Sequence, residues 1–170
     1  MIHSNESLKD ILAKRLGRID PNKIVVVGVG NRMRGDDVIG PILLDSLQEV
    51  LPHLIDAGAT PEEYMSIIKR LNPEIIIFLD ALELGFPPGT IHIVEMDAIF
   101  PNYENTHGLS LDVLLQYLSE ETGADVFIIG IQYGQISHIP GLSPEMKESI
   151  KVCAELIQLV VACRARKKSL

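Results

Sequence analysis

The chain has 170 residues, of which 46% are hydrophobic, with a mean hydropathy of +0.21, and this is ample to build the core of one domain. A formal net charge of -8 repels nucleic acid and anionic membranes, so neither is an expected partner. No run of 18 uncharged apolar residues and no apolar secretion segment is present, which predicts a cytoplasmic protein without a bilayer span.

Ser7 followed three residues later by Asp10 reads as a capping box, and Leu8, Ile11, Leu12 and Leu16 recur at helical spacing, predicting an amphipathic helix over 7–17. "KIVVVGVG" (23–30) is nearly all apolar and β-branched, as a strand buried on both faces should be. A helix is expected from Asp36 to Val50, a second strand in "HLIDAG" and a helix over 60–71, capped by Thr60 with Pro61 in its first turn. "EIIIFLDALELG" supplies a third strand ending near Asp80. The turn "FPPG" then leads into a fourth, "TIHIVEMD", and so short a connection favours an antiparallel neighbour. A helix over 108–121, a last strand in "ADVFIIGIQ" and a long helix opened by Ser143-Pro144 complete the pattern. The expected architecture is a three-layer α/β/α sandwich on a mostly parallel, twisted five-stranded sheet. It forms a single domain over 1–170, with 1–22 as a helical extension and 23–166 as the core.

Cys153 and Cys163 lie ten apart on one predicted helix, on nearly opposite sides of its axis, which suits neither a metal pair nor a redox motif; both are expected as buried, reduced thiols. The basic tail "RARKKSL" reads as cations completing a helix C-terminus.

Gly28 and Gly30 suggest a dinucleotide fingerprint, but its third glycine would fall on Met33. Asp36 and Asp37 would also occupy the helix N-terminal donors that a pyrophosphate needs, so the turn is suited to a cation. Asp36 is the natural helix cap, whereas a second adjacent acid makes Asp37 a candidate ligand. Asp80 closes an apolar strand on the carboxyl edge, where open α/β sheets build their sites, and the Asp36-Asp37 turn follows a strand on that same edge. Asp56 shares the edge, but Gly58 and Thr60 beside it favour a turn-forming role. Among five histidines, His3, His53, His92 and His138 read as structural or solvated. His107 differs, because it precedes a helix in the polar loop "YENTHGLSLD" with Gly108 allowing close approach. Asp37, Asp80 and His107 would form an O, O, N set with open positions, suited to a divalent transition metal whose other ligands come from elsewhere. No H-E-x-x-H, G-x-S-x-G or D-T-G-type peptidase motif is visible.

The blocks "GVGNRMRGDDVIG", "LIDAGATPEE", "LDALELG", "THGLSLDVLL" and "FIIGIQ", in this order and spacing, closely resemble the hydrogenase maturation endopeptidases. Within that family the chain most resembles the branch that serves hydrogen-evolving, energy-converting hydrogenases. The resemblance runs from about Lys23 to the end of the last helix, and the segment through about Asn22 is extra relative to shorter members. It implies an endopeptidase, aspartyl-type in its reliance on carboxylates, that trims a C-terminal peptide from the nickel-loaded precursor of a nickel-iron hydrogenase large subunit. It further implies that Asp37, Asp80 and His107 complete the coordination of a nickel already held by precursor cysteines. No organic cofactor is implied, and Asp37 and Asp80 are the expected catalytic carboxylates. Two departures are that many relatives have Gly after the paired acids and Pro after G-I-Q, where this chain has Val38 and Tyr133. Two other readings remain: a Rossmann-like nucleotide-binding module, and a non-catalytic nickel-checking chaperone that binds the precursor without cutting it. A monomer is expected.

Overall fold

A computed structural model describes residues 7–96, 111–138 and 140–167, with the backbone alone for 164–167. Helix α1 (Leu8–Leu16) opens on the predicted capping box: Ser7 Oγ accepts from Asp10 N at 3.2 Å while the Asp10 carboxylate accepts from Ser7 Oγ at 2.6 Å. Leu12 and Leu16 of α1 are buried, and the helix packs on the C-terminal helix α5 (Pro144–Lys167). Arg15, on the same helix, lies 4.3 Å from the Phe127 ring centroid and donates to both Glu95 carboxylate oxygens at 2.7 Å.

The strands are β1 (Ile24–Val29), β2 (His53–Gly58), β3 (Ile75–Leu82), β4 (Ile91–Val94) and β5 (Asp125–Gln132), in the spatial order β2-β1-β3-β5-β4. All neighbours are parallel except β4 and β5, so the expected architecture is present. The short β3–β4 connection does give an antiparallel strand, but its partner is β5. Strand β3 already has β1 and β5 on its two sides, so the chain crosses the end of β5, tied by Gly89 N to Gln132 O and Gln132 N to Thr90 O, both at 2.9 Å. Alternate residues of each central strand feed two cores. Ile24, Val26, Ile75, Ile77 and Leu79 face α1, α2 (Ile39–Leu47) and α5; Val25, Val27, Val29, Ile76 and Phe78 face α3 (Met65–Arg70) and α4 (Leu111–Thr122).

Two predicted helix starts are corrected. Thr60 makes no side-chain cap, because Pro61–Tyr64 is a 3-10 turn in which Glu63 N donates to the Thr60 carbonyl at 3.1 Å, satisfying from the backbone what a cap would supply. The second helix likewise begins with a 3-10 turn, Gly35–Val38, before α2 proper, and it ends at Leu47 short of Val50.

The cysteines divide between the two sides of α5. Cys153 is buried, and desolvation pushes its thiol pKa up to about 12; Cys163 is exposed, which corrects the expectation of two buried thiols. A maleimide reagent at pH 8 is therefore expected to label one thiol, Cys163, in the native protein, and the second only after denaturation, as mass spectrometry of the intact chain would show.

Candidate active site

The carboxyl ends of β1, β3 and β5 share one edge of the sheet, and the Asp36-Asp37 turn lies there because the first turn of α2, at Gly40, packs directly on the β1 and β3 backbones. A Cβ at Gly40 would stand 2.2 Å from Val29 O and 2.4 Å from Leu79 O, and one at Gly28 would stand 2.9 Å from Gly40 C. Gly28 and Gly40 thus serve helix-on-strand contact. Gly30 has φ 134 and faces the Asp37 carbonyl, which accepts from Asn31 N at 3.0 Å, while Asp37 N donates to Arg34 O at 3.0 Å. The G-x-G run is therefore consumed by the fold and leaves no glycine-lined phosphate cradle.

Asp36 is not the helix cap. Its carboxylate accepts from Gly134 N at 3.0 Å, Gln135 N at 2.9 Å, Ser143 N at 2.9 Å and Ser143 Oγ at 3.1 Å, all from the loop after β5. The 3-10 start of α2 has no side-chain cap at all. Asp37 and Asp80 are 4% and 3% exposed, values at which an ionised carboxylate survives only with a compensating partner or ligand. Asp37 Oδ2 is shut off from solvent and accepts no hydrogen bond, although the residue is engaged elsewhere. Asp80 sits in the penultimate turn of the β3 pleat opposite Gly130 of β5, on the same face as Phe78 and Leu82. The turn carrying Asp37 packs against β3, the strand that carries Asp80.

His107 lies outside the described residues. Among those described, no group of three or more His, Cys, Asp or Glu side chains could hold a metal ion. Asp56 takes the turn role expected of it, accepting from Gly58 N at 3.3 Å, and also binds Arg32 at 3.0 Å. His92 stacks on Phe86 with centroids 4.3 Å apart, and burial lowers its pKa, keeping the ring neutral at pH 7.

The sequence reading overlooked Gln132. Only 3% exposed, it accepts from Leu84 N at 2.6 Å and Phe86 N at 3.4 Å through Oε1 and donates to Tyr133 O at 3.0 Å, fastening the loop after Asp80 to the end of β5. A polar residue ending the apolar run "VFIIGI" was the available signal. Gln132→Leu is expected to lower stability by about 1–3 kcal/mol, because the buried Leu84 N–H loses its acceptor. Denaturant titration checks this.

A match to the HycI hydrogenase maturation protease family spans residues 45–159. The chain belongs to this family. It is 29% identical over 138 residues to the hydrogenase 3 maturation protease of Escherichia coli K12, covering 79% of this chain and 88% of that one. It is 28% identical over 153 residues to the hydrogenase 2 maturation protease of the same organism, covering 84% and 91%. The crystal structure of a [NiFe] hydrogenase maturation protease from Thermococcus kodakarensis KOD1 superposes with a TM-score of 0.79 at 30% identity, covering 89% of this chain and 99% of that one. As a hydrogenase maturation protease the chain is an endopeptidase, and the nucleotide-binding and non-catalytic readings are not favoured. The described sheet edge carries two buried acids, Asp37 and Asp80.

Proposed function

We propose that this maturation protease removes the C-terminal extension of the nickel-loaded large-subunit precursor of a nickel-iron hydrogenase, in the cytoplasm, using Asp37 and Asp80 with His107. What supports this reading is the burial of two carboxyl groups at the carboxyl edge, Asp37 on the turn after β1 and Asp80 on β3 against which that turn packs. Carboxylate oxygens and an imidazole nitrogen are suitable donors for a nickel ion that the precursor itself presents. Such a cation supplies Lewis acidity and orientation to the bond beside it. The protein's own contribution is two carboxyl groups held in place before the substrate arrives. A carboxylate oxygen not engaged by the cation accepts a proton from the attacking water.

The test is to incubate the protein with the large-subunit precursor of the same cell, nickel-loaded or nickel-free, and to weigh the products. Loss of a short C-terminal peptide from the nickel-loaded form alone is the expected result. Equal cleavage of both forms would remove nickel recognition from the reading, and a persistent complex without cleavage would restore the chaperone alternative.

A further inference from the structure

We infer that Asp36 is a positioning residue for the reaction, its carboxylate latching the loop after β5 onto the turn that carries Asp37; the inference rests on the role proposed above for Asp37. Asp36 is 1% exposed, and its two oxygens accept four hydrogen bonds, from Gly134 N, Gln135 N, Ser143 N and Ser143 Oγ, at 2.9 to 3.1 Å. Every one of these donors lies about a hundred positions away, so the carboxylate does no local work in its own helix. The contact is reciprocal, because Asp36 N donates to Gln135 O at 3.2 Å while Gln135 N donates to the Asp36 side chain. Gly35 lets the backbones meet: it has φ +55, and a Cβ on it would stand 2.9 Å from Gln135 O.

Among the described residues of this loop, 134–138 and 140–141 belong to neither hydrophobic core, and Leu142, beside Ser143, packs against the edge of one. The effect of the latch is on geometry at the edge. Asp37 follows Asp36 directly, and its main chain is held from the other side by Arg34 O and Asn31 N. With the latch closed, the turn is fixed between two loops; with it open, the Asp37 carboxylate can swing relative to Asp80. A misplacement of about 1 Å at a reacting group costs on the order of a hundredfold in rate. Asp36 touches no substrate in this scheme and acts through Asp37.

The experiment uses Asp36→Asn, which keeps size and shape but turns an NH2 group toward hydrogen-bond donors, and Ser143→Ala, which removes one donor and leaves three. Amide hydrogen exchange and cleavage of the nickel-loaded precursor are measured on both variants, on Asp37→Asn and on the wild type. For Asp36→Asn, protection at Gly134, Gln135 and Ser143 should fall at least about tenfold while that of β3 and β5 is unchanged, and kcat should fall about ten- to a hundredfold with KM within about twofold. Ser143→Ala should lose less than about threefold in kcat. Wild-type kcat in Asp36→Asn, or protection lost throughout the sheet, overturns the inference. If the wild type does not cleave, or Asp37→Asn cleaves as well as the wild type, the underlying reading fails and the positioning role falls with it. The local exchange result then still tells whether the latch exists.

Discussion

Asp37→Asn is expected to lower kcat/KM for the nickel-loaded precursor by about a hundred- to a thousandfold, the range seen when one preorganised electrostatic group is removed from an active site. The substitution preserves shape and removes the negative charge, so it isolates electrostatics from packing. The fold should persist. The backbone bonds of the turn, Asp37 N to Arg34 O and Asn31 N to Asp37 O, do not use the side chain. The magnitude follows from burial: at 4% exposure the carboxylate acts through a low local dielectric, where a unit charge is felt far more strongly than in water. Asp45→Asn is the matched control. Its side chain is 50% exposed and paired with Arg32, and such surface pairs contribute about 0–1 kcal/mol. Precursor cleavage followed by mass spectrometry reads both variants. Retention of more than about a tenth of wild-type activity by Asp37→Asn would displace it from the catalytic set.

The contrast between Asp36 and Asp37 shows what a sequence can carry. Strand-edge reasoning places Asp37 and Asp80 at the carboxyl edge, where both are buried, because one lies in the turn after an apolar strand and the other ends an apolar run. Capping reasoning fails for Asp36 because its donors, at positions 134, 135 and 143, are absent from any local window. Two adjacent acids did contain a hint, since their repulsion demands that one be neutralised from elsewhere. The partner of β4 was hidden for a related reason: a short loop implies reversal of direction, but strand order depends on whether the preceding strand is already flanked. By contrast, the α/β class followed directly from the buried strand runs, whose two-faced burial the two cores confirm. Gln132 was missed because a single polar residue at a strand end has no periodicity to betray it.

Gly40→Ala is expected to destabilise the protein by about 3 kcal/mol, at the upper end of ordinary overpacking, and to lower Tm by roughly 6–12 °C. Helix propensity argues the other way, since alanine inside a helix is favoured over glycine by about 1 kcal/mol. Sterics win because of what the methyl group meets. Its three nearest neighbours would be Val29 O at 2.2 Å, Leu79 O at 2.4 Å and Val29 N at 2.7 Å, all main-chain atoms of the two central strands. No side chain can turn aside, so α2 itself must lift from β1 and β3. Gly58→Ala provides the comparison: nothing lies within 4 Å of its Cβ position, but φ is +56, so its penalty is conformational alone, about 1–2 kcal/mol. The two variants also differ in reach. Lifting the start of α2 carries with it the turn that ends only two residues upstream, so Gly40→Ala should lose cleavage activity at temperatures where it is still folded, whereas Gly58→Ala should not. Melting curves combined with precursor cleavage at 25 °C separate the effects. If Gly40→Ala melted with the wild type, the contact of α2 with the β1 and β3 backbones would not be what holds the Asp37 turn at the sheet edge.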